Sequence, residues 1–220
     1  MRARIEKSER EYARLPGSVQ LLAVSKTHAA DAVKRARDAG QHHFGENYLQ
    51  EALGKMEQLS TDLVWHFIGP IQSNKTRPLA ERFDWVHTVD REKIARRLDE
   101  QRPADKPPLN VLLQVNVSGE ASKSGVSPAD LPALAAVVAS LPRLRLRGLM
   151  AIPAPTDDVA RQRAAFRQLA EARDALVAAG YASCTELSMG MSQDMEAAIA
   201  EGATMVRVGT DIFGARPRHI

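Results

Sequence analysis

The sequence predicts an α/β protein: one TIM-type (β/α)8 barrel spanning residues 1–220 as a single domain, with an extra N-terminal helix. Three observations predict it. Short apolar runs alternate with helical patterns over the whole length, eight such β-then-α units fit within 220 residues, and no low-complexity linker divides them. A doubly wound open sheet would show a similar alternation and stands as the competing architecture at this point.

In chain order, the densely charged segment "MRARIEKSEREYARLPG" reads as an amphipathic helix. The strands follow at Gln20–Ser25, His42–Gly45, Val64–Gly69, Trp85–Val89, Asn110–Val117, Leu144–Ile152, Glu186–Met189 and Met205–Gly209. The first of them, within "LLAVSKTH", is nearly continuous in apolar residues, the pattern of a strand covered on both faces in a parallel sheet. Helical patterns lie between, among them "DAVKRARDAG" closed by Gly40, "YLQEALGKMEQL", "REKIARRLDEQ", "ADLPALAAVVASL" and "QRAAFRQLAEARDALVAAG" closed by Gly180.

Composition narrows the function classes. With 44% hydrophobic residues the chain can bury a sizeable core, and 30 basic against 27 acidic residues leave a net charge of +3, too little to argue for a nucleic-acid partner. Cys184 is the single cysteine, which excludes an internal disulfide and a multi-cysteine metal site and fits a reducing compartment. The N-terminus lacks an apolar signal region and no apolar run reaches the about 18 residues a membrane span requires, so a cytoplasmic protein with no membrane partner is expected.

In a barrel of this kind the active end is built where the strands finish. The first strand delivers Lys26, the second Glu46 and Asn47, the third His66 and Gly69, the fourth Thr88, the fifth Asn116, the sixth Met150. Lys26 alone has three readings: a Schiff base with a carbonyl, a phosphate contact, or an ordinary solvated amine. The seventh and eighth strands end in "SMGMSQDM" and "RVGTD", where such barrels commonly bind phosphate. Ser192 is expected to cap the helix "QDMEAAIAEG", and Gly209 and Thr210 offer close backbone approach and a hydroxyl. Asp194 and Glu196 are expected on that helix's outer faces, away from any anion. Each motif by itself also fits an ordinary helix cap or glycine turn. Together, a lysine that can form a Schiff base and a phosphate site facing it are what holding pyridoxal 5'-phosphate (PLP) requires. Arg207, two residues before Gly209, shares its strand face and suggests an arginine at the pyridine nitrogen.

The segments "AVSKTH", "FGENYLQEA", "WHFIGPIQSNK", "GLMAIP", "LSMGMSQDMEAAI" and "MVRVGTDIFGAR" resemble the pyridoxal phosphate homeostasis protein family, which has an alanine-racemase-like N-terminal barrel. The resemblance runs over nearly the whole chain. It implies that Lys26 carries the cofactor as an internal aldimine, that Ser192, Gly209 and Thr210 surround the phosphate, that Arg207 lies near the pyridine nitrogen, and that Asn47 and Met150 line the ring.

The kinship with alanine racemase raises the question of catalysis, and the residues argue against it. Racemization on that scaffold takes a second base, a tyrosine from a following β domain, and about ten residues after the last strand leave no room for one. Tyr12, Tyr48 and Tyr181 fall on helices or helix ends. An arginine at the pyridine nitrogen weakens the cofactor as an electron sink. The expectation is therefore a monomeric PLP carrier and regulator without catalytic residues, which buffers the cofactor and passes it to PLP-dependent apoenzymes. The alternatives are a PLP-dependent amino-acid racemase and a class I aldolase using the Lys26 imine without cofactor.

Three features stand outside this reading. His42, His43, His66 and His87 suggest a metal cluster, but on strands they more often satisfy core or rim hydrogen bonds, and no zinc-ligand spacing supports a site. The arginines of "RLRLRG", residues 143–148, are expected to cover a strand face or pair with helix carboxylates. The "SGEASKSG" loop, residues 118–125, with Lys123, would lie over the site and gate it, hold a phosphate or simply be solvated.

Overall fold

The computed structural model describes residues 1–119 and 124–214, so Glu120–Lys123 of the glycine- and serine-rich loop lie outside the described residues. Eight parallel strands close in the order of the chain: β1 (Gln20–Val24), β2 (His43–Glu46), β3 (Val64–Phe67), β4 (Trp85–Val89), β5 (Leu109–Gln114), β6 (Leu144–Met150), β7 (Glu186–Ser188) and β8 (Met205–Val208). The parallel pairing of β1 with β8, Leu22 opposite Arg207 and Ala23 opposite Val208, closes the barrel and rules out the open sheet.

Helix α1 (Arg2–Glu11) precedes the barrel, as its charge pattern predicts. The connections carry α2 (Ala30–Asp38), α3 (Leu49–Met56), α4 (Thr76–Arg82), α5 (Glu92–Gln101), α6 (Leu131–Ser140), α7 (Val159–Ala178), α8 (Met195–Ala200) and α9 (Thr210–Phe213). Helix α7 shows why such boundaries form where they do. Asp158 accepts hydrogen bonds from the amides of Ala160 and Arg161 at its start, and Gly180, with φ +104°, takes the left-handed turn just past its end. Helix α4 escapes a reading by pattern because it is short and carries Pro78, a residue tolerated there only because it sits in the first turn.

Alternation along the strands separates two interiors. Leu21, Ala23 and Phe44 face outward into the main core under the helices, whereas Leu22, Val24 and Ile68 pack together inside the barrel. Burying Phe44, Phe83 or Phe166 completely is worth about 1.5–3 kcal/mol each, so the helix layer and the barrel wall stabilise each other. Cys184 belongs to this outer core, and burial pushes its thiol up to about 11. Among the described residues no helix is long and apolar enough to cross a membrane.

Candidate functional site

Because every strand runs the same way, the residues after their C-terminal ends share one rim of the barrel. Lys26 lies two residues past β1, Asn47 one past β2, Met150 ends β6, Ser192 sits in the turn after β7, and Gly209 and Thr210 follow β8. Closure brings β6, β7, β8, β1 and β2 side by side, so these residues occupy one continuous arc. A Cβ on Gly209 would stand 3.2 Å from the Val24 carbonyl oxygen, which measures how tightly the ends of β8 and β1 approach beside Lys26. Gly190, at φ +93°, is needed in the preceding loop, since a Cβ there would meet that of Ala198 at 2.5 Å.

A charged cluster fixes the turn that carries Lys26. Thr27 has φ +67°, a left-handed conformation that is costly for a β-branched residue, and its amide donates to Glu51 Oε1 at 2.7 Å. The Lys55 ammonium, buried except for 4%, donates to Glu51 Oε1 at 2.5 Å, to Glu46 Oε1 at 2.6 Å and to the Ser25 carbonyl at 2.7 Å. Ser25 Oγ also donates to Glu46 Oε1, at 2.5 Å. Burial raises the Glu46 carboxyl pKa against the opposing pull of Lys55. The residues on both sides of Lys26 are thus tied to α3 and β2.

On β8, the strand paired with β1, Arg207 lies inside the barrel opposite Leu22, 4% exposed. Its guanidinium donates to the Ser188 carbonyl at 2.6 Å, to Ser188 Oγ at 2.8 Å and to the Ala151 carbonyl at 2.9 Å. Burial pushes its pKa down to about 10 although Asp194 acts to raise it, so at neutral pH it is a fixed, buried cation.

The structure corrects several sequence-based expectations. Ser192 does not cap α8: Asp194 precedes that helix, and its Oδ1 accepts from the Met191 amide at 2.6 Å to shape the turn, while the Ser192 carbonyl accepts from Arg4. Asp194 is half-buried rather than on an outer face, and it lines a cavity of about 300 Å³ with Ser118, Pro153 and Gln162. Glu196 does face away from the barrel, paired with Arg4 at 2.8 Å. Glu46 points from the barrel wall toward α3 and not into the mouth, because its parity along β2 is opposite to that of Gly45, which faces Leu22 and Ile68. His66 is wholly buried within the barrel, and Thr88 donates to the Gly69 carbonyl at 2.6 Å. Arg147 follows the first of the two expectations for its run, covering the Trp85 ring on a strand face, and pairs with Glu186 of a neighbouring strand at 3.4 Å rather than with a helix carboxylate. His43, His66 and His87 do meet the expectation of core and rim hydrogen bonds: half-buried His43 bonds to His66, and fully buried His66 bonds to His87, while His42 is 3.8 Å from Asp62.

An amine, a buried guanidinium and a glycine-lined strand end on one arc fit an anionic aldehyde with a flat ring. The buried Asn47 Oδ1, without a partner among the described residues, is an acceptor available to such a ligand. The sequence matches the model of the alanine racemase N-terminal domain over residues 3–217. It is 64% identical over 215 residues to the pyridoxal phosphate homeostasis protein of Pseudomonas aeruginosa, covering 97% of this chain and 92% of the relative. The solved structure of PipY from Synechococcus elongatus with PLP bound superposes with a TM-score of 0.84 at 43% identity, covering 97% of this chain and all of that one (100%). Alanine racemase from Corynebacterium glutamicum shares the fold alone, at 20% identity and a TM-score of 0.70 over 100% of this chain and 62% of the racemase.

Proposed function

The chain belongs to the pyridoxal phosphate homeostasis protein family, and from that premise we propose that it binds PLP through Lys26 and buffers it in the cytoplasm. The observation that carries this reading is the adjacency of β1 and β8, which sets Lys26 and Gly209 at one edge of the barrel mouth. When bound, PLP supplies an aldehyde that condenses reversibly with a lysine amine, and a ring able to draw electrons. Lys26 is the covalent anchor. Ser192, Gly209 and Thr210 hold the phosphate, Arg207 donates toward the ring nitrogen, and Asn47 and Met150 flank the ring. The charged cluster behind Lys26 keeps the amine's turn fixed whether or not the ligand is present.

The same site is poorly furnished for catalysis. Tyr12 ends α1, Tyr48 precedes α3 with 54% of its surface exposed, and Tyr181 follows α7. None of the three lies on a strand of the barrel. An amine able to hold an aldehyde reversibly, with no second base beside it, would suit storage and release to apoenzymes by a monomeric carrier.

Borohydride reduction of PLP-loaded protein, followed by peptide mapping, is expected to place the label on Lys26, and Lys26→Ala to abolish both the label and the imine absorbance band. A label confined to Lys55 or Lys75 would overturn the assignment. Amino-acid turnover with chiral product analysis is expected to match the Lys26→Ala background. Lysine-dependent turnover of about 1–1000 per second would instead establish a racemase-like enzyme.

A further inference from the structure

The barrel interior holds a line of polar groups that cofactor binding does not itself call for. His43 Nδ1 lies 3.0 Å from His66 Nε2, His66 Nδ1 lies 2.9 Å from His87 Nε2, and His87 Nδ1 lies 2.8 Å from Ser188 Oγ. Ser188 Oγ in turn accepts from Arg207. His66, His87 and Ser188 are completely buried, whereas His43 is half-buried at the start of β2, the rim opposite Lys26. The file therefore crosses the barrel from its floor to the guanidinium below the mouth.

Donor bookkeeping gives the file a direction. A guanidinium only donates, so Arg207 occupies one lone pair of Ser188 Oγ. The one hydroxyl hydrogen is satisfied by donating to His87 Nδ1, the other partner of that oxygen. His87 then carries its proton on Nε2 and donates to His66 Nδ1, and His66 Nε2 donates to His43 Nδ1. Reversing the direction would leave the buried Ser188 hydrogen without an acceptor, which is expensive away from water. Every hydrogen in the file points away from Arg207.

Its surroundings keep the imidazoles neutral. Burial holds His66 and His87 well below the ordinary histidine range, helped by His87 and His43 acting on His66 and by Arg207 acting on His87. Trp85 stacks on His66 with ring centroids 5.4 Å apart. At the floor, burial and then His42 lower His43 against the opposing pull of Asp84.

We propose that His43, His66, His87 and Ser188 are positioning residues for Arg207: a hydrogen-bond file of single polarity that fixes the place of the guanidinium through Ser188 Oγ and denies protons from the barrel floor a path to whatever it faces. Under the PLP reading, on which this consequence rests, that group is the pyridine nitrogen, and the file keeps it unprotonated.

The test is 15N NMR of uniformly labelled protein, first without added ligand. His66 and His87 are expected as neutral Nε2–H tautomers across about pH 6 to 8. An Nδ1–H tautomer or a charged ring at either position near pH 7 would overturn the proposal, whatever Lys26 binds. Ser188→Ala, which removes the group that sets the direction, is expected to turn single tautomers into mixtures as far away as His43, and Ser188→Thr to restore them. An unmoved His43 would reduce the histidines to space filling. Should Ser188→Ala fail to fold, the wild-type spectrum still decides. With PLP labelled at the ring nitrogen, the nitrogen shift is expected to remain in the unprotonated range in the wild type. A protonated ring nitrogen there would refute the consequence for the cofactor while leaving the ligand-free result standing.

Discussion

Two buried polar clusters, one in the wall behind Lys26 and one inside the barrel beneath Arg207, solve burial in opposite ways. Behind Lys26, between the barrel wall and α3, Lys55 meets Glu46 and Glu51 as a charged group. Beneath Arg207, inside the barrel, three imidazoles and a hydroxyl pass hydrogen bonds along without a further charge. The difference follows from solvent. Glu51 is 30% exposed at its side chain, so the outer cluster keeps one edge in water, whereas His66, His87 and Ser188 are enclosed on all sides by the barrel. Where desolvation is complete, neutral groups with fixed tautomers satisfy polar atoms at lower cost than ions do. The outer cluster can therefore hold a strained turn with strong charge-assisted bonds, and the inner one can hold a cation without adding another.

The largest effect should come from unbalancing the charged side. Lys55→Met leaves Glu46 buried without its ammonium, and a loss of about 3–5 kcal/mol in urea unfolding is expected. The double variant Lys55→Met with Glu46→Gln should recover most of it. If the single change cost no more than the double, the cluster would not be coupled and the contrast with the interior would fail.

Acid should single out the neutral side. His66 and His87 have folded pKa values far below the ordinary 6.5, so below that pH the unfolded chain binds more protons and stability falls as pH falls. Each imidazole contributes a slope of up to about 1.4 kcal/mol per pH unit in that window. Replacing His66 with Phe lowers stability at pH 7 but should flatten the decline between pH 6.5 and 5. An unchanged slope would mean that His66 is already charged in the folded protein.

The smallest effect belongs to an exposed pair that serves as the reference for both clusters. Arg4 and Glu196 are 40% and 42% exposed at their side chains, so Glu196→Ala should change stability by no more than about 1 kcal/mol, and less at high salt. A loss comparable to that of Lys55→Met would show that α1 matters to the barrel far more than its exposed contacts indicate.

Much of this arrangement is legible in the chain before folding. The eight strands appear as apolar runs because both faces of a closed parallel barrel are dry, and Lys26, Asn47, Met150, Gly209 and Thr210 can be placed because a strand's end is visible where its apolar run stops. The cap of α8 is not legible in the same way, since Ser192 and Asp194 both suit the position and only the turn's geometry puts Asp194 there, with its Oδ1 accepting from the Met191 amide. The histidine file did leave a signal: His43, His66 and His87 stand one to a strand on three consecutive strands.

The sequence by itself determined the eight alternating strand and helix units and the strand ends at which the candidate residues fall, because alternation, helix punctuation and strand termination are local properties that residue chemistry states directly. That the strands close into a barrel rather than an open sheet was decided by the pairing of β1 with β8. Only the tertiary structure decided that Glu46 turns to Lys55 rather than to the mouth, and that His87 meets Ser188 across 101 positions of chain. Those pairings depend on strand register and on closure of β8 against β1, and a shift of one residue in register would send each of these side chains to the other face of the wall.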